Sequence, residues 1–220
     1  MLNLKLKINS LSQKISNGVY GLLSITFGGL GDLIAYLMYP GYDFRRRAVS
    51  SLCLGPGWLI FQAGTVLSGL FALLFLINFE KTFNDREINL NLRKYAKITG
   101  IISCVSFIIL GIFCGSNIII AYIHGINAVI SWIFGLLYIS LYNTLIIKSS
   151  KYSKYLGYFG FITTFTMSLM LVFFLLHLIP DLRFLMIILP SLEWTNTCSL
   201  ILWYLVVSVY IIHKKNLKMV

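Results

Sequence analysis

Residues 58–79 read WLIFQAGTVLSGLFALLFLINF, without one charged side chain. A helix rising 1.5 Å per residue crosses the roughly 30 Å hydrocarbon core of a bilayer in about 20 residues. In that core its backbone N–H and C=O groups can pair only within the segment, so the stretch predicts a membrane-spanning helix. Five further stretches share this character, at 18–39, 98–120, 125–147, 157–179 and 194–213. The expectation is an all-α fold, a polytopic bundle of six transmembrane helices, with residues 1–220 forming one six-helix membrane domain.

Two apolar pieces need separate treatment. Lys5, Lys7 and Lys14 precede the first run, as in a signal peptide, but the run is longer than an apolar signal region and no A-x-A-like cleavage site follows AYLMYPGYD. It reads as an uncleaved helix. The piece containing RFLMIILP, at 181–190, is too short to span and is bounded by prolines, so it reads as an interfacial segment.

Composition excludes other classes. The chain is 58% hydrophobic and 11% charged, whereas a soluble protein carries about a quarter charged residues. Its 18 Lys and Arg against 7 Asp and Glu give a net charge of +11, which in a soluble protein would raise the question of nucleic acid. Here the basic residues lie between apolar runs, so nucleic acid is not an expected partner and membrane lipids are. One side of the bundle receives Lys5, Lys7, Lys14, Lys81, Arg86, Arg93, Lys94, Lys97, Lys148, Lys151, Lys154, Lys214, Lys215 and Lys218. The other receives Arg45, Arg46, Arg47 and Arg183. That bias predicts a cell-membrane protein with both termini cytoplasmic. Anionic-lipid binding by the same clusters is compatible, but topology alone accounts for them. Tyr36, Tyr39, Trp58 and Trp194 fall at predicted outer ends, where amphipathic rings anchor. The longest polar connection, 80–97, has room for a short surface helix.

Asp32 is the carboxylate deepest within an apolar run, so it should be protonated, paired or facing a wet cavity. It is a functional candidate, and equally a hydrogen-bonded packing group beside the small residues GGLG. His124, expected to open the fourth helix, His177, closing the fifth, and Glu193, opening the sixth, share its side of the membrane. These four are the catalytic candidates, since imidazoles and carboxylates at one depth suit acid/base chemistry or metal binding. No ligand pair stands at one-face spacing, so no metal site is predicted, and nothing resembles a nucleotide or coenzyme motif, so no cofactor is expected. Taken singly, Glu193 would complement a helix N-terminus and the histidines would sit at a tolerant interface.

Arg45, Arg46 and Arg47 run against the charge bias. Their forks match phosphate oxygens, which makes them a candidate ligand-binding group, while pairing with Asp43 and headgroups is the plainer reading. Cys53, Cys114 and Cys198 fall near the oxidising face, and if one bridge forms, Cys53 to Cys198 is the expected one. Otherwise each thiol behaves as a small hydrophobe. The small-residue pairs Ser24 and Gly28, Gly64 and Ser68, and Gly111 and Gly115 predict close helix contacts within the chain.

The stretch YPGYDFRRRAVSSLCLGPGWLIF, with Pro40, Tyr42, Val49 and Ser50, resembles the domain-of-unknown-function family numbered 998. HGINAVISWIFGLLYISL, opening with His124, is similar to that family's fourth helix. LEWTNTCSLILWYLVV, with Glu193 and Trp203, resembles its last. The chain departs from the pattern at Ser51, where members often carry an acid, and at Trp194, where they often carry arginine. A more distant likeness is to the eukaryotic group containing the autophagy modulator DRAM and GPI-remodelling proteins. The resemblance implies a multi-helix membrane protein without an assigned activity.

For the first outer loop the expectation is a turn at Pro40, Gly41 and Tyr42, then a short helix over 43–52 with Val49 and Leu52 facing down and an arginine paired with Glu193. Three functional classes stand open: a role in lipid or membrane-protein assembly, an enzyme on lipid-linked substrates, and a small transporter using Asp32. Oligomeric state leaves no mark on the sequence.

Overall fold

The computed structural model describes residues 16–85 and 88–217, the side chains of 215–217 excepted. Lys5, Lys7, Lys14, Arg86 and Lys218, counted above, lie outside the described residues, as does the side chain of Lys215. The fold is all-helical, and among the described residues six helices are long and apolar enough to cross a membrane. They are α1 (Asn17–Leu37), α2 (Trp58–Glu80), α3 (Leu90–Ile112), α4 (Ile118–Lys148), α5 (Lys154–Leu176) and α6 (Leu189–Leu217). Two 3-10 segments, Val49–Leu54 and Pro180–Ile187, lie in the connections. This is the makeup of a multi-pass membrane protein.

Several boundaries differ from the sequence expectation, each for a local reason. The third helix starts at Leu90 because the Asn89 side chain accepts the Asn91 N–H at 2.8 Å. It ends at Ile112 because a new helix starts at Ile118, where Asn117 accepts the Ile119 N–H at 2.9 Å. Each side-chain oxygen satisfies a donor left free at a helix start. Expected limits of 98–120 and 125–147 are thus corrected: apolar residues on both sides of the break hid it. The connection before α3 shortens accordingly, Arg93, Lys94 and Lys97 are helical, and among its described residues there is no separate surface helix. Pro190 belongs to the first turn of α6, where its missing N–H costs nothing, so the interfacial segment stops at Ile187.

Each helix packs against its chain neighbours, and α6 returns to α1. Up and down strokes therefore close into a ring. Lipid offers no hydrophobic drive between helices, so association depends on close backbone approach and polar clasps. Between α1 and α2, a Cβ built on Gly64 would stand 2.8 Å from both the Gly31 Cα and the Phe27 carbonyl oxygen. Ser24 Oγ donates to the Ser68 carbonyl at 3.0 Å. Two of the three small-residue pairs thus meet each other within the chain. Gly111 packs on Thr65 of α2, whereas Gly115 lies beyond the end of α3 with only ordinary contacts. Further clasps run from Ser103 to the Ser131 carbonyl at 2.9 Å and from Thr163 to the Ser199 carbonyl at 3.0 Å.

The ring is plugged at one end. Phe75, Phe79, Phe83, Tyr142 and Trp203 are fully buried there and pack ring on ring. Their polar atoms are matched: Trp203 Nε1 donates to Asn143 Oδ1 at 2.9 Å, and Tyr142 donates to the Leu76 carbonyl at 2.8 Å. Below the plug, at the lysine-rich end, Arg93 pairs with Glu80 at 2.6 Å and Lys151 with Asp85 at 3.0 Å. Hydrogen bonds from Ser149 and Lys151 hold the Asp85 carboxyl below the usual carboxylate range.

The glycine contact yields a test. Gly64→Leu would drive a side chain into backbone that cannot move aside, with an expected loss of about 1–3 kcal/mol or more. Gly29→Ala, whose new Cβ meets nothing within 4 Å, should change the melting temperature in detergent little. Equal melting of the two variants would contradict the close α1–α2 crossing.

Candidate functional site

Opposite the plug, the ring encloses a chamber of about 560 Å³. Its floor is the aromatic pair Tyr138 and Tyr204, whose hydroxyls lie 3.1 Å apart. Phe107, Trp132, Met167 and Met170 line its walls with apolar surface, broken by Ser103 and Ser131. Its upper rim carries Asp32, His124 and Glu193. The lid is the first long loop, which touches the chamber through Arg46 and residues 48–51.

That loop folds for stated reasons. Pro40 follows the end of α1, and Gly41 takes φ 69°, a conformation only glycine adopts freely. The Tyr42 hydroxyl donates to the Ala48 carbonyl at 2.6 Å and the Arg47 carbonyl at 3.1 Å, pinning the arginine turn. Burial pushes that phenol up to about 12. Tyr36, Tyr39 and Trp194 surround the Tyr42 ring, and Trp194 Nε1 donates to the Arg47 carbonyl at 3.2 Å. Tyr36, Tyr39 and Trp194, expected as lipid anchors, thus also hold the lid. Val49 and Leu52 face inward and are buried, as expected, although the helical part covers only Val49–Leu54 and leaves the arginines in the preceding turn.

Two expectations are corrected here. Cys53 bonds to Cys114, not to Cys198, which is a free exposed thiol. The break between α3 and α4 places Cys114 in a connection beside the lid, with a Cα separation of 5.3 Å from Cys53 that suits a disulfide. The arginines do not reach Glu193 either. Arg46 lies 3.7 Å from Asp43 with its side chain 86% exposed. Arg45 and Arg47 stack over Phe44 and Tyr39. Pairing with Asp43, the plainer reading, is what the geometry shows. Glu193 instead accepts the Ser50 backbone N–H at 3.0 Å, a bond joining positions 143 residues apart.

Of the four catalytic candidates, Asp32, His124 and Glu193 line the chamber, and His177 does not. His177 is the C-cap of α5, and its ring bonds back to the Phe174 carbonyl. His124 stands in the second turn of α4 rather than opening it, and its Nδ1 lies 2.9 Å from the Leu110 carbonyl and 3.1 Å from that of Phe113. Two carbonyl neighbours require Nδ1 to carry the proton, which leaves Nε2 as an acceptor. Asp32 makes no hydrogen bond or ion pair among the described residues, and it lies within electrostatic reach of Glu193. No hydrogen bond links any two of the four, and among the described residues no three His, Cys, Asp or Glu side chains gather as for a metal. Asn196, one turn after Glu193, also lines the chamber and had not been singled out. Its position three residues after Glu193, on the same face of the helix, was the available signal.

A second hollow of about 390 Å³ lies on the outside of the ring, formed by Tyr122, Gly125, Ile126 and Val129 of α4 with Phe174 of α5. Gly125 and Phe174 line both spaces. No residue of α4 before Ser131 is buried.

No protein-family model, curated protein or solved structure matches the chain.

The two carboxylates should behave differently on substitution. Glu193→Leu strands the Ser50 N–H, with an expected cost of about 1–3 kcal/mol, whereas Glu193→Gln keeps an acceptor and should melt near the wild type. Asp32→Leu strands nothing and should be at least as stable as the wild type. Destabilisation by Asp32→Leu equal to that of Glu193→Leu would show that Asp32 has a partner within the bundle.

Proposed function

We propose that this chain is a lipid-handling protein of the cell membrane, with both termini cytoplasmic, that holds an amphiphile in the chamber and so serves lipid or membrane-protein assembly. The observation that carries this reading is the chamber itself, apolar along its walls and polar at its rim, inside a ring of apolar helices. An amphiphile has that same division. The shared residues Gly125 and Phe174 offer a route by which an acyl chain could pass between chamber and bilayer without crossing the polar lid. Mostly apolar concave sites with a few polar groups are also what small-molecule ligands generally occupy.

Among the described residues Asp32, His124, His177 and Glu193 form no hydrogen-bonded acid/base pair, so no observation favours catalysis as the primary role. The aromatic plug below Tyr138 and Tyr204 gives Asp32 no continuous wet path, which weighs against transport. For orientation, the lysine and arginine bias and the disulfide agree, since disulfides persist on oxidising faces. We further infer that the chain is a divergent member of the domain-of-unknown-function family numbered 998. In support, Val49, Ser50, His124 and Glu193, which carry that resemblance from three separate stretches, all line this chamber.

Two measurements test this. In a background with Cys104→Ala and Cys198→Ser, an impermeant maleimide added to intact cells should label Arg45→Cys and leave Ser150→Cys unlabelled until the cells are opened. The reverse pattern would invert the orientation. For the chamber, solvent extraction and mass spectrometry of the purified protein should find bound amphiphile. Ala128→Trp, which fills the chamber from α4, should lower that amount about tenfold. Equal amounts in both proteins would place any bound lipid elsewhere.

A further inference from the structure

The rim of the chamber has a chemistry of its own. Asp32 presents a carboxyl group with no hydrogen-bond or ion-pair partner among the described residues, and the Glu193 carboxyl is engaged by Ser50 alone, through its backbone N–H at 3.0 Å and its hydroxyl. His124, with Nδ1 committed to backbone carbonyls, has Nε2 available as an acceptor. Asn196 is only 3% exposed, yet its amide oxygen has no hydrogen-bond partner. A buried amide left unsatisfied costs about 1–3 kcal/mol, so it marks a place where a bound group would be stabilising. Among the described residues the one Lys or Arg touching the chamber is Arg46, and its side chain is 86% exposed and turned to Asp43. Two carboxyl groups and further acceptors therefore line the chamber, and among the described residues no Lys or Arg pairs with either carboxyl.

We propose that this rim is a headgroup subsite for a primary ammonium, so that the chamber selects long-chain amines over neutral or anionic amphiphiles of the same length. The proposal rests on the amphiphile reading above. An ammonium carries three N–H donors and one positive charge. Asp32 and Glu193 supply the opposite charge, and His124 Nε2 and the Asn196 amide supply further acceptors, with the chain lying among Phe107, Trp132 and Met170. A carboxylate headgroup would bring a third carboxyl into a site where, among the described residues, no Lys or Arg is placed to pair with it. An alcohol would satisfy hydrogen bonds but leave the charge unanswered. Charge-assisted hydrogen bonds are roughly twice as strong as neutral ones, so the amine should win clearly over the alcohol.

The test uses tritiated dodecylamine, dodecanol and dodecanoate with the full chain in nanodiscs of neutral phosphatidylcholine, measuring retention at pH 7. Dodecylamine should bind about tenfold more tightly than dodecanol, and dodecanoate least. In the double variant Asp32→Asn with Glu193→Gln, which keeps acceptors but removes both carboxyl groups, the amine should lose its advantage and bind no more tightly than the alcohol does to the same variant. A melting temperature in detergent near that of the wild type shows that the variant is folded. Equal binding of amine and alcohol by the wild-type protein would overturn the ammonium subsite and leave the amphiphile reading standing. Retention of none of the three probes would overturn both.

Discussion

A helix buried in hydrocarbon gains nothing from hiding apolar side chains against another helix, because the surrounding lipid is equally apolar. What holds this ring together is therefore contact at short range. Backbone meets backbone where Gly31 faces Gly64, and hydroxyls reach across to carbonyls where Ser24 meets Ser68, Ser103 meets Ser131 and Thr163 meets Ser199. Each clasp joins two helices adjacent in the ring. Such bonds average under about 1 kcal/mol each in membranes, so it is their distribution around the circle, rather than any one of them, that closes it.

The two ends of the ring use different means, and function follows from that difference. At the lysine-rich end, large aromatic side chains fill the axis, and their polar atoms are paired through Asn143 and the Leu76 carbonyl. At the other end the axis is left open below the lid, and Asp32 and the Asn196 amide oxygen have no hydrogen-bond partner there among the described residues. A fully satisfied polar core rigidifies, whereas an incompletely satisfied one invites a ligand or water. The plug thus acts as a foundation, and the chamber stands on it.

The six spans were legible because a run such as 58–79 has no other solvent to belong to. Their ends were less so. Hydropathy averages over a window and cannot see a break flanked on both sides by apolar residues, which is why the Asn117 cap was passed over and α4 read seven residues short at its start. The same oversight hid the disulfide, since Cys114 was placed inside a helix instead of a connection. Asp32, His124 and Glu193 could be singled out because charge is rare at that depth. Their partners could not: the Ser50 bond to Glu193 joins distant parts of the chain through a backbone atom that has no sequence signature. Asn196 and Asn143 look alike in sequence, yet one is satisfied by Trp203 and the other is not.

The bond between Cys53 and Cys114 stands just outside both ends of the α2–α3 hairpin, one sulfur before the first helix and the other after the second. It turns two spans and their connection into a covalent circle. A break in the described connection residues 81–85 would leave a single molecule, held by sulfur until a reductant opened it. The hairpin can also be sealed once the third helix has emerged from the ribosome, before α4, α5 and α6 exist. Its closure needs nothing from α4, α5 or α6, because both sulfurs precede those helices in the chain.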